Sequence, residues 1–89
     1  VPVSAIQEAI QLGISKINVD TDIRLAFTGA IRQVFAENPE LFDQRKYLGP
    51  ARDATARIIA DRMKAFGTAG HAGDYTSVTL ADMAKTYAG

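Results

Sequence analysis

The chain has 89 residues, of which 47% are hydrophobic, and its ten basic and ten acidic side chains leave a formal net charge of zero. This length fits one domain or part of one, the apolar fraction argues against disorder, and the neutral charge provides no electrostatic footprint for nucleic acid or an anionic membrane surface. The absence of cysteine and the presence of a single histidine exclude disulfides, thiolate metal sites and any multi-histidine metal site within the chain.

The apolar runs and the first residues bear on targeting. No apolar run approaches the roughly 20 residues that a membrane span needs. The start, Val-Pro-Val-Ser, has no basic segment followed by an apolar core, so no signal peptide is predicted. It also lacks an initiator Met, and we therefore expect the chain to begin within a longer protein.

A short predicted helix leads into a predicted strand. Apolar residues at helical spacing, followed by Gly13, predict a helix over residues 3–12. In residues 14–19, Ile17 and Val19 share one face and polar side chains alternate with them, which predicts the only strand. A strand between two helices is typical of a parallel α/β sheet.

The second predicted helix begins directly after the strand. Asp20, Thr21 and Asp22 supply cap residues and negative charge at its start. The dipeptide Asn38-Pro39 ends it near residue 37. Its apolar stripe comprises Ile23, Ala26, Phe27, Ala30, Ile31, Val34 and Phe35.

The remainder of the chain predicts two more helices. Residues 38–50 are rich in turn formers and charges, which predicts a connection. Pro50, at its end, is expected to be the first residue of a helix that runs to about Phe66. Residues 70–77 predict a loop. Thr79 is expected to cap the last helix.

A single strand raises a physical difficulty. Its backbone N–H and C=O groups need neighbouring strands, and a parallel sheet needs several strands with both faces covered. Two interpretations therefore stay open: residues 14–19 do not form a strand, or the chain is a piece of a larger α/β domain.

Polar residues cluster where the predicted strand ends. Asn18, Asp20 and Thr21 lie at its carboxyl end, the edge at which open α/β sheets and (β/α)8 barrels bind ligands. Free N–H groups of the following helix can hold a phosphate, and the Asn18 amide can both donate to and accept from a sugar oxygen. A ligand site and simple helix capping both remain open from position alone.

Longer stretches of the sequence resemble a known family. Residues 16–32, KINVDTDIRLAFTGAIR, resemble the last strand and helix of a class II fructose-bisphosphate aldolase. The resemblance continues at residues 37–39 and 42–48 and resumes at residues 62–70. The Asn-Val-Asp-Thr-Asp run with its following Arg, taken together with Phe-Asp-x-Arg-Lys, makes the resemblance specific, although Gln44 stands where the family usually has Pro.

The resemblance implies a fold and an activity. Residues 1–89 are expected to be the C-terminal segment of a single (β/α)8 TIM barrel domain, an α/β fold, with the predicted strand as the eighth and the helices flanking it. The implied reaction is reversible cleavage of fructose 1,6-bisphosphate to dihydroxyacetone phosphate and glyceraldehyde 3-phosphate, with Zn²⁺ as Lewis acid. The implied zinc ligands and general acid/base lie upstream, so the isolated segment is expected to be inactive and to need the remainder of the aldolase chain.

The resemblance also implies roles for five residues and assigns neither a catalytic residue nor a metal ligand to this segment. The Asn matched by Asn18 contacts the ketose near the enediolate. The residues matched by Asp20 and Thr21 help to bind the phosphate of the dihydroxyacetone half, aided by backbone N–H groups or a monovalent cation. The residue matched by Arg24 reaches the other phosphate across a subunit boundary, where its fork suits phosphate. The residue matched by Asp43 reads the hydroxyl configuration from the neighbouring subunit.

Several alternatives and expectations accompany this interpretation. A tagatose-bisphosphate aldolase is the alternative within the enzyme class, and a non-catalytic helical interaction module or a complete oligomerisation piece is the alternative outside it. We expect a cytoplasmic homodimer or homotetramer that takes a sugar bisphosphate and binds neither nucleic acid nor membrane. His71 is predicted to be an exposed loop residue rather than a zinc ligand.

Overall fold

The structure is a computed structural model that describes residues 1–88. In this part of the chain four α-helices and one short 3-10 turn follow each other along the sequence. They are α1 (Val3–Gln11), α2 (Thr21–Glu37), α3 (Gln44–Phe66), the 3-10 turn Ala72–Asp74 and α4 (Leu80–Ala88).

The helices α2 and α3 form an antiparallel hairpin. The rings of Phe35, near the end of α2, and Tyr47, near the start of α3, lie with their centroids 4.9 Å apart. At the opposite end of the hairpin, Asp22 of α2 pairs with Arg62 of α3. Within the described residues, Ala51 of α3 is the only side chain that is fully buried.

The N-terminal helix α1 packs against α3 alone. The side-chain amide of Gln7 donates to the backbone carbonyl of Ala65 at 3.0 Å, which ties α1 to the last turn of α3. The helix ends at Gln11, one residue before the predicted end, and Gly13 takes a positive φ of 107° in the turn that follows. Gly13 thus redirects the chain out of α1, as its place after the helix indicates.

The start of α3 differs from the prediction. The helix begins at Gln44 rather than at Pro50, because the Asp43 side chain accepts a hydrogen bond from the backbone N–H of Arg45 and caps it there. Pro50 therefore lies inside the helix, where its missing N–H leaves the carbonyl of Lys46 without its usual helical partner. The connection between α2 and α3 is consequently shorter than predicted.

The end of α3 and the start of α4 follow the sequence signals. Gly67 adopts the left-handed conformation, with φ of 78°, and closes α3 after Phe66. The Thr79 hydroxyl accepts from the backbone N–H of Asp82 at 3.1 Å, which confirms Thr79 as the cap of α4. The predicted loop over residues 70–77 contains the 3-10 turn.

The predicted strand over residues 14–19 is absent, and residues 1–88 contain no strand at all. The physical reason is that a strand must exchange backbone hydrogen bonds with neighbours, and this part of the chain supplies none. The described fold is therefore helical. Apolar side chains of the irregular segment line an open groove of about 660 Å³ together with residues of α1, α2 and α3. They include Ile14, Ile17 and Val19.

None of the helices in residues 1–88 is both long enough and apolar enough to cross a membrane.

Candidate functional site

Three of the five predicted site residues lie together in one pocket. Asn18, Asp20 and Thr21 line an open pocket of about 400 Å³ at the start of α2. Asp22 of the first helical turn and Arg62 of α3 also line it. The pocket thus gathers an amide, a hydroxyl and two carboxylates, which can bind sugar hydroxyls, and a guanidinium, which can bind phosphate.

The side chain of Asp20 does not cap α2. Asp20 occupies the N-cap position, but its carboxylate makes no capping hydrogen bond to the helix. It accepts instead from Arg24 Nε, which lies 2.9 Å from Asp20 Oδ1. The capping interpretation therefore does not account for this carboxylate, and the first N–H groups of α2 keep their potential to donate to an anion.

Arg24 lies on the exposed side of α2, outside the residues that line the pocket. Its side chain is 78% exposed and that of its partner Asp20 is 68% exposed. Solvent screens a pair of this kind strongly, so the guanidinium is held only weakly. Arg24 is thus free to reorient towards a ligand outside this chain.

Asp43 lies at the far end of α2 from the other predicted site residues. The 17 residues of α2 span about 25 Å at 1.5 Å per residue. Asp43 lines a separate pocket of about 590 Å³, which is formed by the α2–α3 connection and Lys46. The structure therefore does not bring Asp43 together with Asn18, Asp20 and Thr21 within one chain.

Arg45 holds the Asp43 carboxylate in place. Arg45 Nη2 lies 2.8 Å from Asp43 Oδ2, while Arg45 Nε and the Arg45 backbone N–H each lie 3.1 Å from Oδ1. The side-chain hydrogen bonds from Arg45, helped by its backbone N–H and by the charge of Lys46, lower the pKa of Asp43 below its usual value. This carboxylate is ionised at neutral pH and acts as a fixed acceptor.

Arg62 is the residue of this region whose role the sequence did not reveal. It lies 40 residues after Asp22, yet its Nη2 is 3.0 Å from Asp22 Oδ2. Only the hairpin of α2 and α3 brings the two together, so no local spacing could have indicated the pair. The position was part of the family-like motif at residues 62–70, and that was the one available signal.

The described residues do not fit a zinc ion. Among residues 1–88 no three His, Asp or Glu side chains converge closely enough to hold a metal ion. The single histidine, His71, lies exposed beside the 3-10 turn with its Nδ1 2.7 Å from Asp74 Oδ2.

Comparison with known proteins relates these observations to a family. A sequence model of the family "Fructose-bisphosphate aldolase class-II" matches residues 1–71. A fructose-bisphosphate aldolase of Giardia intestinalis is 55% identical over 87 residues, which cover 98% of this chain and 27% of that protein. Fructose-bisphosphate aldolase 2 of Cereibacter sphaeroides is 47% identical over 88 residues, covering 99% of this chain and 25% of that protein.

A third relative is covered more fully. Fructose-bisphosphate aldolase 2 of Rhodobacter capsulatus is 46% identical over 88 residues, which make up 99% of this chain and 77% of that sequence. The chain thus spans about a quarter of the length of the first two relatives and most of the third. The family match includes both the pocket at the start of α2 and the Asp43 carboxylate that caps α3. The chain therefore belongs to the class-II fructose-bisphosphate aldolase family.

Proposed function

We propose that this chain works as the C-terminal segment of a (β/α)8 barrel that cleaves fructose 1,6-bisphosphate reversibly to dihydroxyacetone phosphate and glyceraldehyde 3-phosphate. The observation that carries the proposal is the pocket in which Asn18, Asp20 and Thr21 meet the start of α2. The family membership supports the same reaction. A barrel phosphate site at the carboxyl end of a strand and the start of the next helix is the arrangement that this fold favours.

Within that pocket each side chain has a distinct task. The Asn18 amide would donate to and accept from the ketose oxygens near the reacting carbon. Asp20 and Thr21 would lie at the phosphate of the dihydroxyacetone half. Because a carboxylate repels a phosphate dianion, we expect backbone N–H groups of α2 or a monovalent cation to mediate that contact.

Two other residues would serve a neighbouring subunit. Arg24 is exposed and weakly held, and Asp43 lies at the other end of α2 from the pocket. Both positions suit contacts with a substrate bound to another subunit. Arg24 would bind its second phosphate in a bidentate manner, and Asp43 would accept from a hydroxyl group. We therefore propose a homodimer or homotetramer in the cytoplasm.

The remainder of the barrel would supply what this chain does not hold. Zinc, when bound, would polarise the ketone and stabilise the enediolate, and its ligands would lie in the portion of the relatives that this chain does not cover. Residues 14–19 would become the eighth strand once neighbouring strands accept its backbone groups. The open groove of Ile14, Ile17 and Val19 with α1 and α3 would then be covered by the barrel.

The proposal can be tested with two proteins. The first is the full-length enzyme, in which this chain is preceded by the part of the barrel that its longer relatives contain. The second is the 89-residue chain alone. With zinc and fructose 1,6-bisphosphate, the full-length enzyme is expected to release triose phosphate and to lose this activity with a chelator, whereas the isolated chain is expected to release none. A folded, zinc-loaded full-length enzyme without cleavage would overturn the proposal.

A comparison of the two epimers completes the test. Turnover of fructose 1,6-bisphosphate is expected to exceed turnover of tagatose 1,6-bisphosphate by the same enzyme. The reverse preference would replace the proposed substrate with the tagatose epimer. Hydrogen exchange of the Ile17 and Val19 backbone amides in the full-length enzyme tests the fold, because an eighth strand must protect them. Exchange as fast as in an unpaired segment would instead support a helical interaction module.

A further inference from the structure

The ion pair between Arg62 and Asp22 differs from the other ion pairs of the described residues. It joins two helices across 40 positions of sequence, whereas the others join residues no more than four positions apart. The Arg62 side chain is only 25% exposed and that of Asp22 is 49% exposed. A half-buried tertiary pair is screened less by solvent than an exposed local pair, so its electrostatic effect on the surroundings is larger.

The location of the pair connects it with the phosphate pocket. Asp22 and Arg62 line the same pocket as Asn18, Asp20 and Thr21. Two carboxylates, those of Asp20 and Asp22, therefore lie where the proposed function requires a phosphate dianion. A lone carboxylate in such a position repels the dianion, and the repulsion grows as the pocket loses water.

Each of these carboxylates has its own guanidinium. Arg24 pairs with Asp20 on the exposed side of α2, and Arg62 pairs with Asp22 at the contact with α3. In the proposed function Arg24 leaves its partner to reach a second phosphate, whereas Arg62 belongs to the hairpin and stays. Arg62 is then the cation that keeps the negative charge beside the phosphate low.

We propose that Arg62 is a positioning residue for the phosphate end of the substrate, and this inference rests on the proposed function. By pairing with Asp22, Arg62 neutralises a carboxylate in the first turn of α2. The backbone N–H groups of the turn then face the anion beside one unpaired carboxylate, that of Asp20, rather than two. The role is electrostatic, so it depends on the presence of Asp22 and not on a direct contact with the reacting carbon.

The test is a double-mutant cycle in the full-length enzyme. Arg62→Met removes the charge and keeps much of the apolar stem; we expect KM for fructose 1,6-bisphosphate and the inhibition constant of inorganic phosphate to rise about tenfold, with kcat nearly unchanged. Arg62→Lys, which keeps the charge, is expected to change both constants much less. Arg57→Met, an exposed position on the same helix, is the matched control and is expected to change neither.

The decisive arm adds Asp22→Asn to Arg62→Met. If Arg62 acts by neutralising Asp22, removal of the carboxylate restores KM and the phosphate inhibition constant towards the wild-type values. If the double variant stays as impaired as Arg62→Met, the role is structural and the inference is overturned. The inference is also overturned when the wild-type enzyme is active but Arg62→Met leaves KM unchanged. Absence of cleavage by the wild-type enzyme instead overturns the proposed function together with this inference.

The cycle remains informative if one variant is unstable. Should Arg62→Met fail to fold, Arg62→Lys and Asp22→Asn still separate the two roles. If the role of Arg62 is electrostatic, Asp22→Asn alone should lower KM, because it removes a repulsive charge from the pocket. If Asp22→Asn instead raises KM about tenfold, as expected for the loss of Arg62, the electrostatic role is contradicted.

Discussion

Arg24 donates from its Nε to Oδ1 of Asp20, four residues earlier at the N-cap position of α2, at a distance of 2.9 Å. Both side chains are more than two-thirds exposed, at 78% and 68%. Exposed pairs at this helical spacing contribute about 0.3–0.5 kcal/mol. The pair therefore opens at little energetic cost, which suits the proposed contact of this guanidinium with a phosphate bound by a neighbouring subunit.

Replacement of Arg24 is expected to reduce catalysis and to leave stability nearly intact. In the full-length enzyme, Arg24→Ala removes the proposed charged contact with phosphate, so kcat/KM for fructose 1,6-bisphosphate falls about 10- to 100-fold. Because the pair with Asp20 is weak, the midpoint of thermal unfolding shifts little. Steady-state kinetics and a thermal melt of the same preparation measure the two effects.

A neighbouring exposed arginine provides the control for Arg24. Arg52, which is 79% exposed and pairs with Asp53 at 3.4 Å, is expected to tolerate Arg52→Ala without loss of kcat/KM. An equal loss in both variants would show that the effect reflects general surface charge and would contradict a specific role of Arg24.

Loss of Arg45 is expected to raise the pKa of Asp43. Arg45→Gln removes the guanidinium hydrogen bonds, which are the largest cause of the lowered pKa, and keeps the backbone N–H, so the pKa of Asp43 rises towards its ordinary value. A carbon-13 NMR titration of labelled aspartate, with the signal assigned by its absence in Asp43→Asn, measures the change. Lys46→Gln is the control and should raise this pKa less, because Lys46 makes the smallest contribution.

The lowered pKa of Asp43 also fixes the sign of a pH effect on stability. The folded protein binds this proton less tightly than the unfolded chain does, so the stabilisation is present above the unfolded pKa and is lost as the pH falls through the lower folded pKa. The difference in unfolding midpoint between wild type and Arg45→Gln should therefore be seen at neutral pH and shrink in acid. A difference that is equal at both pH values would argue against the ionised pair.

Local signals account for the parts of the fold that could be predicted. Asn38 bonds through its N–H to the Val34 carbonyl at the end of α2, Gly67 closes α3 and the Thr79 hydroxyl caps α4, all through backbone groups within a few residues. Such contacts form wherever the local sequence occurs, so the sequence alone predicts them. The clustering of Asn18, Asp20 and Thr21 was predictable for the same reason, since they are adjacent along the chain.

Contacts between distant residues account for the rest. Pro50 indicated a helix start, but the Asp43 cap and the packing of Tyr47 on Phe35 extend α3 to Gln44 despite the proline. The pairing of Arg62 with Asp22 depends on the hairpin geometry. The strand at residues 14–19 depends on partner strands that residues 1–88 do not supply, so alternation of side chains could not establish it.

Two glycines are expected to respond to alanine in opposite directions. Gly67 has a φ of 78° after α3, where an added Cβ is strained, so Gly67→Ala lowers the free energy of unfolding by about 1 kcal/mol. Gly29 lies within α2, with nothing within 4 Å of an added Cβ, so Gly29→Ala raises it by about 0.5–1 kcal/mol. Thermal melts of the two variants measure these changes. Destabilisation by both would show that Gly29 is covered by another part of the full-length enzyme.

Enlargement of Ala51 is expected to disturb the hairpin. Ala51 lies one turn after Tyr47, is 0% exposed and belongs to the packed side of α3. Ala51→Leu adds three carbons where no space exists, so it lowers the free energy of unfolding by about 1–3 kcal/mol. Ala60 is the control, because nine residues at 100° each place it on the opposite side of the helix and it is exposed. Urea unfolding curves of Ala51→Leu and Ala60→Leu measure the difference, and equal unfolding midpoints would contradict the packing of α2 on α3 at Ala51.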